Sequence, residues 1–166
     1  EIILANRQAQ THSLVQMDWL YSTEIHSVHM NLFYALAFVF TPSYEAARII
    51  GNTLVFVMGI AACAGLCSAC GLSLGASLCA TAMLPLAAST VYAENMTVGG
   101  YYIIHLVFGF WGAALWLKAA RQRRKRNTAA FAAICLVEGL CSVRYVLCFL
   151  CPMVVVAGLD WLLASG

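Results

Sequence analysis

Charge is what this sequence has least of. Asp, Glu, Lys and Arg make up 10% of its 166 residues, against about a quarter in a soluble globular domain. Hydrophobic residues make up 63%, where about 45–50% is usual. A chain of this length leaves much of its surface outside any core it can build, so a bilayer suits it better than water. Between Arg48 and Glu94 there is no charge at all: Ile49 to Ala93 is a run of 45 uncharged residues. One membrane-crossing helix needs roughly 20, so the run predicts a hairpin of two spans.

Other absences exclude whole classes of chemistry. There is no glycine-rich phosphate loop, no catalytic triad and no Cys/His spacing suited to a metal ion, so no catalytic residue, metal or cofactor is expected. No cysteine lies outside an apolar segment. Cys63, Cys67, Cys70, Cys79, Cys135, Cys141, Cys148 and Cys151 therefore read as small hydrophobes rather than as a secreted disulfide framework. The first residues, EIILANRQAQ, lack the apolar centre of a signal peptide. The chain begins with Glu1 rather than Met, as it would after removal of a leader or in a shortened chain.

What is present is a succession of apolar segments, predicting an all-α, multi-pass transmembrane bundle of about five helices (four to six). Residues 1–29 are mixed, with Trp19 and Tyr21 suited to a membrane interface. They form an interfacial or partner-covered N-terminal segment ahead of a transmembrane domain over 30–166. MNLFYALAFVF (30–40) is a short first span. TPSYEAARIIGN (41–52) starts a second, with Thr41 as cap and Pro42 in the first turn, running to about Cys70. Gly71 and Gly75 stand at a spacing that suits either close helix approach or the turn of the hairpin. The third span covers about 72–92 with a kink at Pro85, and the fourth covers 98–117. Residues 129–163 read as one long helix, tilted or kinked at Pro152.

Six of the nine basic residues stand together as Lys118, Arg121, Arg123, Arg124, Lys125 and Arg126. Between two apolar segments such a run marks the inner membrane face and suits anionic lipid headgroups. With no soluble domain to carry it, nucleic-acid binding is excluded. Taking that end as inside, the second and fourth spans run toward it and the third and fifth run away.

Against this background Glu138 and Arg144 stand out, because ionisable groups inside a membrane are costly and point to packing or function. They are six apart, so on one helix they face different directions and need partners on other helices or other chains. Glu138, Ser142 and Tyr145 share a face at i, i+4 and i+7, a polar stripe for packing, for conduction, or for contact with a headgroup, quinone or other lipid-like ligand. The same topology places His26 and His29 at the inner interface and His105 nearer the outer one. That separation, more than about 10 Å by helical rise, argues against a shared haem or metal. CSAC (Cys67, Cys70) and CFLC (Cys148, Cys151) fall at opposite ends, so they cannot exchange thiols directly.

The expected function is a small multi-pass accessory subunit of a larger membrane complex, more plausibly without catalytic activity of its own. Its partners would be other membrane subunits and lipids, anionic ones included. The favoured setting is a respiratory-chain or other energy-converting complex of an organellar (mitochondrial) inner membrane. The alternative is an autonomous membrane enzyme or proton/ion-conducting protein using Glu138, Arg144 and Tyr145, and after that a CxxC thiol oxidoreductase.

Overall fold

The structure, a computed structural model, describes residues 2–19, 29–84, 86, 90, 103–122, 125–141, 143–156 and 159, with Leu140, Cys141 and Arg144 described as backbone only. Among them every regular element is a helix. They are α1 (Ile2–Thr11), α2 (Met30–Phe38), α3 (Tyr44–Cys70), α4 (Leu74–Ala82), α5 (Ile103–Gln122), α6 (Lys125–Cys141) and the short α7 (Val143–Tyr145), which passes into a π-helical turn (Val146–Leu150). Two of these, α3 and α5, are long and apolar enough to cross a membrane. In their most apolar stretches 33% and 39% of residues are buried.

α3 is the spine. Its start is set by Ser43, whose hydroxyl accepts from the Ala46 N–H at 3.3 Å, with Glu45 favourable in the first turn. Thr41, the expected cap, lies two residues too early and instead accepts from the Ser43 N–H. The end is set by Gly71 at φ 80°. There the Leu72 N–H reaches the Cys67 carbonyl and the Gly71 N–H the Ser68 carbonyl, the paired bonds of a Schellman turn. Gly71 thus belongs to the hairpin turn. Gly75 has open space where a side chain would stand, so the pair does not mark a close helix approach. Ser73 then caps α4, accepting from the Ala76 N–H.

α2, α4 and α5 all pack on α3, α1 packs on α2, and α6 packs on α5. The core joins Ala5, Met30, Phe33, Tyr34, Val55, Ala62, Ile103, Ile104 and Val107. Gly59 of α3 faces Val107 of α5, and Arg121 near the end of α5 reaches the Ala69 carbonyl near the end of α3. The two long helices therefore run in the same direction, as a common basic end requires. Arg121 does more than mark topology. Its guanidinium satisfies a carbonyl that the end of α3 leaves without an intrahelical partner.

Several segment boundaries differ from expectation. The first apolar segment is a helix of only nine residues, about 13 Å by helical rise and too short to cross a bilayer. The third is helical over Leu74–Ala82, and its remainder, with Pro85 and most of residues 87–102, lies outside the described residues. The glycosylation-like Asn95-Met96-Thr97 lies there too. The fourth continues to Gln122, so Lys118 and Arg121 are helical. Residues 129–163 do not form one helix. Gly139 of α6 faces Val146 and Leu150, seven and eleven residues further on, a contact that one straight helix cannot make. A single helix of that length would reach about 52 Å, well beyond a hydrocarbon core of about 30 Å. Pro152 does not mark the break. It sits just after the π-helical turn, where its missing N–H leaves the Cys148 carbonyl without an α-helical donor.

Gly51 shows how closely α2 and α3 meet. A Cβ there would stand 2.5 Å from Cδ1 of Tyr34, a buried ring whose hydroxyl donates to Asn52 Oδ1 at 2.7 Å. Gly51→Ala is therefore expected to destabilise the protein by about 1–3 kcal/mol through overpacking, despite alanine's better helix propensity. Thermal unfolding in detergent reads the effect. A melting temperature at or above that of the wild type would mean that the ring yields.

Candidate functional site

α6 has the polarity of a soluble helix reversed. Of its described side chains only Asn127 and Glu138 are buried, while Leu136 and Val137 are exposed. An acid turned inward and leucine turned outward is the pattern of a helix whose surroundings are apolar. Glu138 is 0% exposed, and its Oε2 lies 2.9 Å from Nδ1 of His105 on α5. That distance is a hydrogen bond with one shared proton, whichever atom holds it. His105 belongs to the buried face of α5 together with Ile103, Ile104, Val107, Gly109, Gly112 and Ala114. The pair is thus buried, where losing either partner is costly.

Two further polar side chains complete the cluster. His29 immediately precedes α2, is 2% exposed, and has its ring centroid 5.7 Å from that of His105 at an interplanar angle of 57°. Tyr145 is fully buried and lies within electrostatic range of Glu138 and Cys135. Its ring stacks on Phe149 at 5.4 Å. Both aromatics are seated in a notch on α5. A Cβ at Gly112 would come within 3.1 Å of the Tyr145 hydroxyl, and one at Gly109 within 2.5 Å of the Phe149 ring. The π-helical turn begins directly after Tyr145, and wide turns of this kind recur where a side chain has to be re-aimed for function.

The level of His29 corrects the expectation that it and His105 stand far apart. α2 covers only about half of a membrane depth, so its first residue begins midway along α3 instead of at the inner face. Tyr34, one turn into α2, is already level with Gly51 and Asn52. The two imidazoles therefore meet inside the bundle. His26 lies outside the described residues.

Of the polar stripe, the fold brings Glu138 and Tyr145 to the same interior by folding the chain back, not by aligning them along one straight helix. Ser142 and the Arg144 side chain lie outside the described residues. Lys118, Arg121, Lys125 and Arg126 gather where α5 ends and α6 begins, and Arg123 and Arg124 lie outside. The partner that sequence reading missed is His105. The signal for it was present, because α5 and α6 form a tight hairpin about the basic run. Counting back from Gln122 and forward from Lys125 at about 1.5 Å per residue brings His105 and Glu138 to within a side chain's reach of each other in depth.

Among the described residues the cysteines are free thiols. Cys63 and Cys67, one turn apart, are buried with their thiols in hydrogen-bond contact, while Cys70 and Cys79 face outward. Cys148 and Cys151 are both free and exposed. Among the described residues no three His, Cys, Asp or Glu side chains are placed to hold a metal ion. The groups available are instead suited to sharing protons: two imidazoles, one carboxyl and one phenol, all enclosed. Compared with known protein families, curated proteins and solved structures, the chain matches none.

Proposed function

We propose that this chain is a small multi-pass membrane subunit of a larger hetero-oligomeric assembly, with about five membrane helices. The observation that carries the proposal is the distribution of polarity. Large apolar side chains cover the outside: Leu74 is 77% exposed, Val154 69% and Leu78 62%. α4 buries no residue at all. The carboxyl of Glu138 meanwhile sits in the interior. Lipid and neighbouring subunits are the surroundings that make such a surface favourable. The setting we favour is an energy-converting complex of an organellar inner membrane, because an enclosed carboxyl–imidazole pair suits assemblies that handle protons within a bilayer. Lys118, Arg121, Lys125 and Arg126 at one end suit anionic lipid headgroups.

Extraction from the native membrane in a mild detergent, followed by native-gel separation and mass spectrometry of what co-migrates, tests this reading. The chain is expected to travel within a complex several times its own mass, together with other membrane proteins. Migration alone, at the mass of one or two copies, would overturn it.

A further inference from the structure

The geometry points to a proton relay inside the bundle, in which Glu138 and His105 hold one exchangeable proton and pass it toward His29. The inference rests on the membrane reading above, and it assigns these three side chains a role that packing alone does not require.

Three observations carry it. First, the His105–Glu138 contact is direct, 2.9 Å between Nδ1 and Oε2, within the range over which a proton transfers between positioned groups. Second, Glu138 uses only one of its oxygens there. Oε1 is fully buried and has no hydrogen-bond partner among the described residues, whereas a carboxylate kept purely for packing is expected to have both oxygens satisfied. A proton that can reside on the carboxyl relieves that deficit. Third, the contact continues. The His29 ring lies 5.7 Å from the His105 ring, centroid to centroid, so their nitrogens can meet directly or through one water.

Glu138 meets His105 on α5 and has Tyr145 of the returning C-terminal helix nearby, with Cys135 of α6 close to the same phenol. His29 at the head of α2 stands beyond it, against the His105 ring. From Ile49 to Cys70, α3 contributes no Asp, Glu, His, Lys or Arg. No fixed positive charge therefore stands among the described neighbours to pin the carboxyl in its ionised form.

The step balances in protons and charge. With the carboxyl protonated and His105 neutral, the Oε2–H bond breaks and an Nδ1–H bond forms, giving a carboxylate and an imidazolium. The imidazolium then loses its Nε2 proton toward His29, leaving His105 neutral in the other tautomer. The Glu138 carboxylate takes up the next proton, and a flip of the imidazole turns its protonated Nδ1 toward His29 and its bare Nε2 toward Glu138, so the next transfer runs through the two nitrogens in exchanged roles. One proton enters at Glu138 and one leaves at His29.

The experiment is proton flux into vesicles. The full chain, within whatever assembly it is extracted with, is reconstituted around a trapped pH-sensitive dye, and a potassium diffusion potential with valinomycin supplies the drive. Wild-type vesicles are expected to acidify or alkalinise at least tenfold faster than protein-free ones. Glu138→Gln keeps the hydrogen bond but cannot titrate, and it is expected to return the flux to the protein-free level. His29→Phe, which fills the same space, is expected to do the same. Native-gel migration of each variant shows that assembly is intact, and so separates failure of the relay from failure of the subunit reading. Wild-type flux no faster than that of empty vesicles overturns the relay. So does unchanged flux in either correctly assembled variant. Should Glu138→Gln fail to assemble, His29→Phe alone decides.

Discussion

Glu138→Ala is expected to destabilise the protein by about 3–5 kcal/mol, the cost of removing one partner from a buried hydrogen-bonded ionisable pair. The penalty comes less from the lost bond than from what stays behind. His105 remains buried, 6% exposed, with its Nδ1 deprived of the carboxyl it meets at 2.9 Å. The hydrogen bond joins these two side chains, so removing both should hurt less than removing either. Glu138→Leu with His105→Leu is expected to recover most of the loss, because well-packed apolar residues can replace a buried polar pair at little cost. Unfolding of the detergent-solubilised protein by denaturant measures all three variants. A single alanine variant within about 1 kcal/mol of wild type would show that the pair is already hydrated and that the interior is open to water.

The second large effect lies on the opposite face of the same notch. Gly109→Val is expected to destabilise by at least the 1–3 kcal/mol typical of overpacking, because even its first carbon would stand 2.5 Å from the Phe149 ring. Phe149 cannot simply step aside. It is stacked on Tyr145, whose hydroxyl is itself confined by Gly112. The test is a double-mutant cycle with Phe149→Ala. Each single change is expected to be harmful, and the pair less harmful than the sum, since the smaller residue makes room for the larger. Additive losses, as found for sites that do not touch, would show that the C-terminal helix does not pack on α5 as described.

Much of the architecture follows from the order of residues. The helical class, the span of α3 and the glycine that ends it, the hairpin about the basic run and the inward need of Glu138 are all local consequences of hydropathy, capping and charge. The boundaries that went astray did so because of contacts between distant parts of the chain. Val143–Leu150 turns back because Gly139, Gly109 and Gly112 leave room for Val146, Phe149 and Tyr145, and no periodicity within residues 129–163 announces a reversal. In the same way, the nine-residue length of α2 carried His29 to a depth that a full span would not have reached.

By itself, then, the sequence determined the helical class and the apolar balance of this protein. A chain with 63% hydrophobic and 10% charged residues belongs with lipid or other apolar surfaces, and one carboxyl within such a segment has to find a polar partner. Which partner was a matter for the tertiary structure alone. His105 is 33 residues away and His29 lies in another part of the chain. A hydrogen bond needs its atoms within about 3 Å, a condition set by how helices cross and not by any spacing along one of them.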